Sequence, residues 1–219
     1  MNKLKITFIA AFAAVLMVLP LSAEVRVGLA VGQTSIDADG THTLKDSAKT
    51  SKSSQSETTA IPSLFVEIAN DSGFGLGLEV VPGSASIGSK SRVADDEEST
   101  LGNKASAEIN GLASVYVLKT FSNGLFFKAG MTQTEVVTTE ALNTGSTYGN
   151  ETVTGGLVGV GITKTRDNGV FFRASAEYTD YDDISLTSAT SVGGTANSFN
   201  KVTASVDTTA FKISVGKAF

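Results

Sequence analysis

The chain of 219 residues contains no cysteine and no tryptophan, only three prolines and a single histidine. Without cysteine there is neither a disulfide framework nor a thiolate metal site, so stability has to come from packing and backbone pairing. The lone histidine, His42, lies in GTHTLKD with no apolar or aromatic neighbours to hold it rigid. It reads as an exposed loop residue, because a catalytic base needs fixed geometry before a tuned pKa. Long apolar runs are scarce as well: after residue 23 none is long enough to cross a bilayer as a helix.

The one apolar run is at the start, where MNKLK, ITFIAAFAAVLMVLPL and Ser22-Ala23 have the three parts of a secretory signal. Residues 1–23 are therefore expected to be a cleaved signal peptide and residues 24–219 a single domain. Removing Lys3 and Lys5 leaves 15 basic residues against 22 acidic ones, a net charge of −7. That balance argues against nucleic acid as a partner.

What the chain does have is alternation. Three turn signals, NDSG from Asn70, SNG from Ser122 and RDNG from Arg166, each separate two runs of period two. The text after the last two is nearly the same, NGLFFKAG and NGVFFRAS. Reading outward from these turns predicts eight strands with one apolar face. That face holds Val25 to Val31, Leu64 to Ile68, Phe74 to Val80, Ile109 to Val117, Leu125 to Met131, Val158 to Ile162, Val170 to Tyr178, and Phe211 to Phe219, taken at alternate positions.

The opposite parity carries Arg26, Glu67, Glu79, Glu108, Lys128, Arg173, Glu177 and Lys212, four acids and four bases. Charges withdrawn from water have to be paired, and a balanced set suits the side-chain-filled lumen of a narrow barrel. With no spanning helix, residence in a membrane requires a closed sheet, which leaves no backbone group unpaired in lipid. The greasy part of the last strand covers about nine residues. At about 3.3 Å each and a tilt of about 40° it spans about 23 Å, close to the apolar band of a transmembrane barrel. Polar joins at residues 37–59, 83–103, 138–150 and 182–202 are expected as long loops at one end, opposite the short turns. Phe74, Phe121, Phe126, Phe127, Phe171, Phe172 and Phe219 suggest an aromatic girdle at the short-turn end, with Tyr178 and Tyr181 at the other. Pro62 and Pro82 are expected at strand ends, where a missing N–H does least harm.

The competing fold is a soluble lipocalin-like barrel, greasy inside, and the chain lacks that fold's early Trp and late helix. Instead the leader, the eight alternating strands and the terminal KISVGKAF resemble small outer-membrane barrels: the OmpA membrane domain, OmpX and the opacity-type surface proteins. The resemblance implies an all-β, eight-stranded antiparallel up-and-down transmembrane barrel in a Gram-negative outer membrane, monomeric, with both termini periplasmic. It implies lipids and lipopolysaccharide as surroundings. It also implies that Phe211, Ile213, Val215 and Phe219 form the signal read by the barrel-assembly machinery, with Lys217 departing from the usual aromatic.

No cofactor is expected, and no catalytic set emerges around His42. The acidic runs Asp95–Glu98 and Asp180–Asp183 lack EF-hand spacing and read as solvated charge. The leading expectation is a structural or surface-interaction protein acting through its long loops, not an enzyme. A narrow porin-like channel is the alternative, and a membrane hydrolase a distant third.

Overall fold

The computed structural model describes residues 23–43, 50–92, 103–141, 147–189 and 200–219. The expected signal peptide, apart from Ala23, lies outside them. Nine strands follow in order: β1 (Glu24–Thr43), β2 (Thr50–Ala69), β3 (Phe74–Arg92), β4 (Asn103–Thr120), β5 (Leu125–Ala141), β6 (Glu151–Thr165), β7 (Val170–Tyr181), β8 (Ile184–Thr187) and β9 (Lys201–Ala218). Each pairs antiparallel with its neighbour, and β1 also pairs with β9, so the sheet closes into a barrel. Both β7 and β8 lie against β9, β8 at Lys201 to Ala204 above the Asp180–Asp207 pair. They are two pieces of one stave, interrupted at Asp182 and Asp183, and the barrel has eight staves.

The short turns are built as the sequence suggests. In each, a glycine amide donates to the carbonyl three residues back: Gly73 to Asn70, Gly124 to Phe121 and Gly169 to Arg166, at 2.8–2.9 Å. All three glycines sit near φ +80 to +86, the left-handed position that ends a three-residue hairpin loop. The first described strand begins at this same end, beside the last residue, where Val25 and Phe219 exchange backbone hydrogen bonds.

The other end differs from expectation. The described parts of the Ser/Thr-rich segments 37–59 and 83–103, expected as loops, are strand. β1 and β2 pair without interruption from Glu24↔Ala69 to Thr43↔Thr50. The described barrel wall therefore runs far past its apolar belt, and the joins shrink to the segments beyond Thr43, Arg92, Ala141 and Thr187.

The two halves of this long wall are inverted with respect to each other. In the lower half, nearest the short turns, a belt of large apolar residues faces outward: Leu29 is 55% exposed, Met131 58%, Ile162 57% and Ile213 63%. In the upper half the outward positions are polar, among them Gln33, Ser35, Asp37, Ser205 and Asp207. The inward positions there form an apolar core of Ile36, Ile87, Ile109, Val136, Val153, Tyr181, Ile184, Leu186 and Val206. A girdle of bare hydrocarbon around a monomer in water is an aggregation surface, and around a barrel in lipid it is a solvent match.

Along β1 the inversion comes from residue choice alone, since Leu29, Val31, Gln33, Ser35 and Asp37 keep one parity in an unbroken register; on β4 the frame itself also shifts. On β4, Gly111 adopts φ +62 and is skipped between Asn110 and Leu112 in the pairing with β5. One extra residue reverses every side chain beyond it. Two expectations are corrected here: Ile109 is 8% exposed and faces inward, while Glu108 is on the outer surface. Ile68 keeps its outward parity but is covered beside its register partners Val25 and Leu76. Of the expected girdle, Phe74, Phe121, Phe127, Phe172 and Phe219 are exposed, whereas Phe126 and Phe171, each 1% exposed, point into the barrel, as does Tyr181.

Candidate functional site

The charged interior sits at the height of the apolar belt and is built from inward positions of six staves. Glu67 on β2 is fully buried and receives both guanidinium arms of Arg173 from β7, at 2.6 and 2.8 Å. Tyr116 on β4 donates its hydroxyl to the same carboxylate at 2.9 Å. Three phenylalanine rings surround the guanidinium, with centroids 5.2 Å (Phe65), 4.7 Å (Phe126) and 5.4 Å (Phe171) from its carbon. Cation–π attraction and a bidentate pair thus act on one group that has lost its water.

One layer higher, Glu79 and Glu177 share Lys128 and Lys212. Lys128 reaches Glu79 at 3.2 Å and also pairs with Glu177; Lys212 reaches Glu177 at 2.9 Å and also pairs with Glu79. Ser63 donates to Glu79 at 2.7 Å. Each cation lies between two anions and each anion between two cations, so a neutral quartet closes the section.

Close approach of these side chains depends on glycines across the wall. A Cβ on Gly28 would lie 2.3 Å from the Phe65 ring, and one on Gly216 2.4 Å from Phe171. A void of about 10 Å³ lies among these side chains, bordered by Phe65, Tyr116, Lys128 and Arg173 among others. That is about the least that holds a single water.

Of the eight charges expected inside, six belong to this lattice. Arg26 lies below it and pairs with Glu24 near the short-turn rim. Glu108 is outside, as described. The phenylalanine cage and Ser63 were missed by sequence reasoning; Tyr116 falls on the inward parity of its strand, but its pairing with Glu67 was not foreseen. A signal existed in Phe65, which shares the parity of Glu67, and in the FF pairs, where adjacent residues necessarily face opposite sides.

His42 also departs from expectation: it lies within β1 and is partly buried, with Nε2 3.0 Å from the Tyr148 hydroxyl and the two rings edge to face. Asp180, Asp182 and Asp183 are exposed, on either side of the buried Tyr181. Among the described residues no group of three His, Cys, Asp or Glu is placed to hold a metal. The run Asp95–Glu98 lies outside the described residues. Phe211, Ile213 and Val215 line the outer face of β9, and Phe219 is exposed just past its end.

No protein-family model and no curated protein sequence matches the chain. Solved structures do. The outer membrane protein OprG from Pseudomonas aeruginosa superposes with a TM-score of 0.54 at 10% identity, covering 88% of this chain and 95% of that one.

The fold is that of a small outer-membrane β-barrel.

Ail, the attachment invasion locus protein of Yersinia pestis, is also similar to this barrel (TM-score 0.40, 11% identity, 91% of this chain and 100% of that one). So is the Escherichia coli outer membrane protease OmpT (0.44, 7%, 90% and 97%). Likeness of this degree describes architecture. Activity has to be argued from the side chains of this barrel itself.

Proposed function

We propose that the protein resides in the outer membrane as a monomeric, non-conducting barrel with both termini in the periplasm. Its role is structural or surface-interacting, carried by the polar upper wall and the joins above it. The observation that carries this reading is the charge lattice. Through-transport needs an open path, and Glu67, Glu79, Lys128, Arg173, Glu177 and Lys212 are instead paired across the lumen, with a void of about 10 Å³ beside them. The apolar belt supports lipid as its surroundings, and the upper wall, polar outside and apolar inside, is suited to water and lipopolysaccharide head groups. The reading is non-enzymatic, and it takes the single histidine, His42, as a structural partner of the Tyr148 hydroxyl. The outward Phe211, Ile213, Val215 and Phe219 are assigned to recognition by the assembly machinery.

Planar-bilayer recording tests the sealed lumen. The native protein should show no steady conductance, while a Glu67→Ala, Lys128→Ala variant should leak. Steady single-channel steps from the native protein would favour the channel reading instead. An epitope placed between Lys45 and Asp46 should be accessible on intact cells, and one placed directly after Ala23 should not be.

A further inference from the structure

The wall has a slit. β2 and β3 pair only from Leu64↔Val80 down to Ala69↔Gly75, although above that level β2 stays bonded to β1 and β3 to β4. Extending the register by two residues would set Pro62 opposite Pro82. Neither has an amide hydrogen, so the ladder cannot continue through that pair. Both prolines are therefore mid-strand, not at strand ends as the sequence suggested. Gly83 follows at φ +92, and the two strands approach again at Gln55 and Gly88.

Behind the slit lies a cavity of about 120 Å³. Its border includes Ala60, Ile61 and Pro62 of β2 and Val81, Pro82 and Gly83 of β3, residues of both parities, so the space passes through the wall instead of lying wholly inside. Its inner lining is mainly apolar, from Ile36, Ile109, Leu112 and Leu157, and its floor is Glu177 and Lys212 of the charge lattice. The slit sits at the upper edge of the belt. Pro62 is the register partner of Val31, and Val31, Leu64 and Val80, beside it, are exposed apolar residues.

We propose that this side pocket takes the end of an acyl chain from an outer-leaflet lipid, entering laterally through the slit. The proposal rests on the membrane reading above. Three features favour this occupant: the mouth is continuous with the lipid-facing surface, the inner lining is mainly apolar, and the size is near that of a cavity of about 150 Å³ known to hold one benzene. The sealed floor makes it a dead end, so a chain lodges and does not pass. At the belt's edge, water and head groups satisfy the unpaired strand edges that bare hydrocarbon would leave unsatisfied.

Methyl-resolved NMR of the native protein in lipid nanodiscs tests this. Acyl-methylene protons should give NOEs to Ile36, Ile109, Leu112 and Leu157, inward methyls that a sealed wall would isolate, as well as to outward Leu29 and Leu64. Ala210→Phe, which fills the pocket from β9, should abolish the inward NOEs and keep the outward ones; Leu112→Phe does the same from the opposite wall if the first variant fails to fold. NOEs confined to outward methyls, inward methyls touched by water alone, or inward acyl NOEs that survive filling would each overturn the pocket while leaving the membrane reading intact. Acyl NOEs to no methyl at all would overturn both.

Discussion

Arg173 and Glu67 carry the energetics of the interior in their bidentate pair. Removing one member of a buried pair leaves the other charged without a partner, which costs about 3–5 kcal/mol, whereas apolar replacement of both is far less harmful. Urea unfolding in vesicles should accordingly show Glu67→Ala losing about that much, and Glu67→Leu with Arg173→Met losing much less. Equal losses from the two would mean that packing, not charge pairing, holds the centre. Gly28→Val addresses the glycine side of the same design. Its side chain meets the Phe65 ring, and overpacking of this kind costs about 1–3 kcal/mol, read from the same unfolding curves. Above the belt, Asp207 has Asp37 and Asp180 as register partners. Partial desolvation and the carboxylates of Asp37, Asp180 and Asp39 push its pKa up. A raised carboxylate pKa in the folded state means stability that is fully present below the ordinary carboxylate range and is lost as pH rises through the raised value. Asp207→Asn should therefore raise the urea midpoint at pH 7, and the two curves should converge as the pH falls; a lower midpoint at pH 7 would contradict the repulsion.

At the scale of the strands, the alternating pattern was readable wherever pairing is regular. Belt positions such as Leu29, Phe127, Val160 and Ile213 face outward as their parity requires. Legibility ended at the irregularities. Gly111 shifts the frame of β4, so Ile109 and Glu108 exchange faces; an isolated glycine within an alternating run is a weak bulge signal that does not by itself fix the register. The segment from Thr50 to Thr59 has the composition of a loop, but pairing with β1 holds it as strand, since tertiary context overrides propensity. Pro62 and Pro82 were visible as breakers, but their opposition depends on the β2–β3 register, which one sequence states only after the hairpin is placed. Replacing both prolines by Thr restores two amide donors. Hydrogen exchange should then slow at Ile61 and Ser84, and unchanged exchange would show that the prolines do not cause the slit.

Taken whole, the molecule is two barrels of opposite polarity on one continuous wall. The lower one is greasy outside with ions within, and the upper one is polar outside with an apolar core. The sequence revealed the lower barrel clearly, because ionic residues alternate there with large apolar ones. The upper core was hidden, since Ile36, Val136, Val153 and Val206 stand among Thr and Ser, and small polar residues mark neither face. On the proposed membrane reading, the height at which polarity inverts marks where the membrane ends. Because the native chain has no cysteine, single spin labels can be placed without ambiguity, and their relaxation by oxygen or by a water-soluble nickel chelate measures that height directly. Labels at Phe127→Cys and Val215→Cys should respond to oxygen and be shielded from nickel, while labels at Asp37→Cys and Ser205→Cys should respond to nickel. Nickel access at Phe127 and Val215 equal to that at Asp37 and Ser205 would contradict a lipid-facing belt.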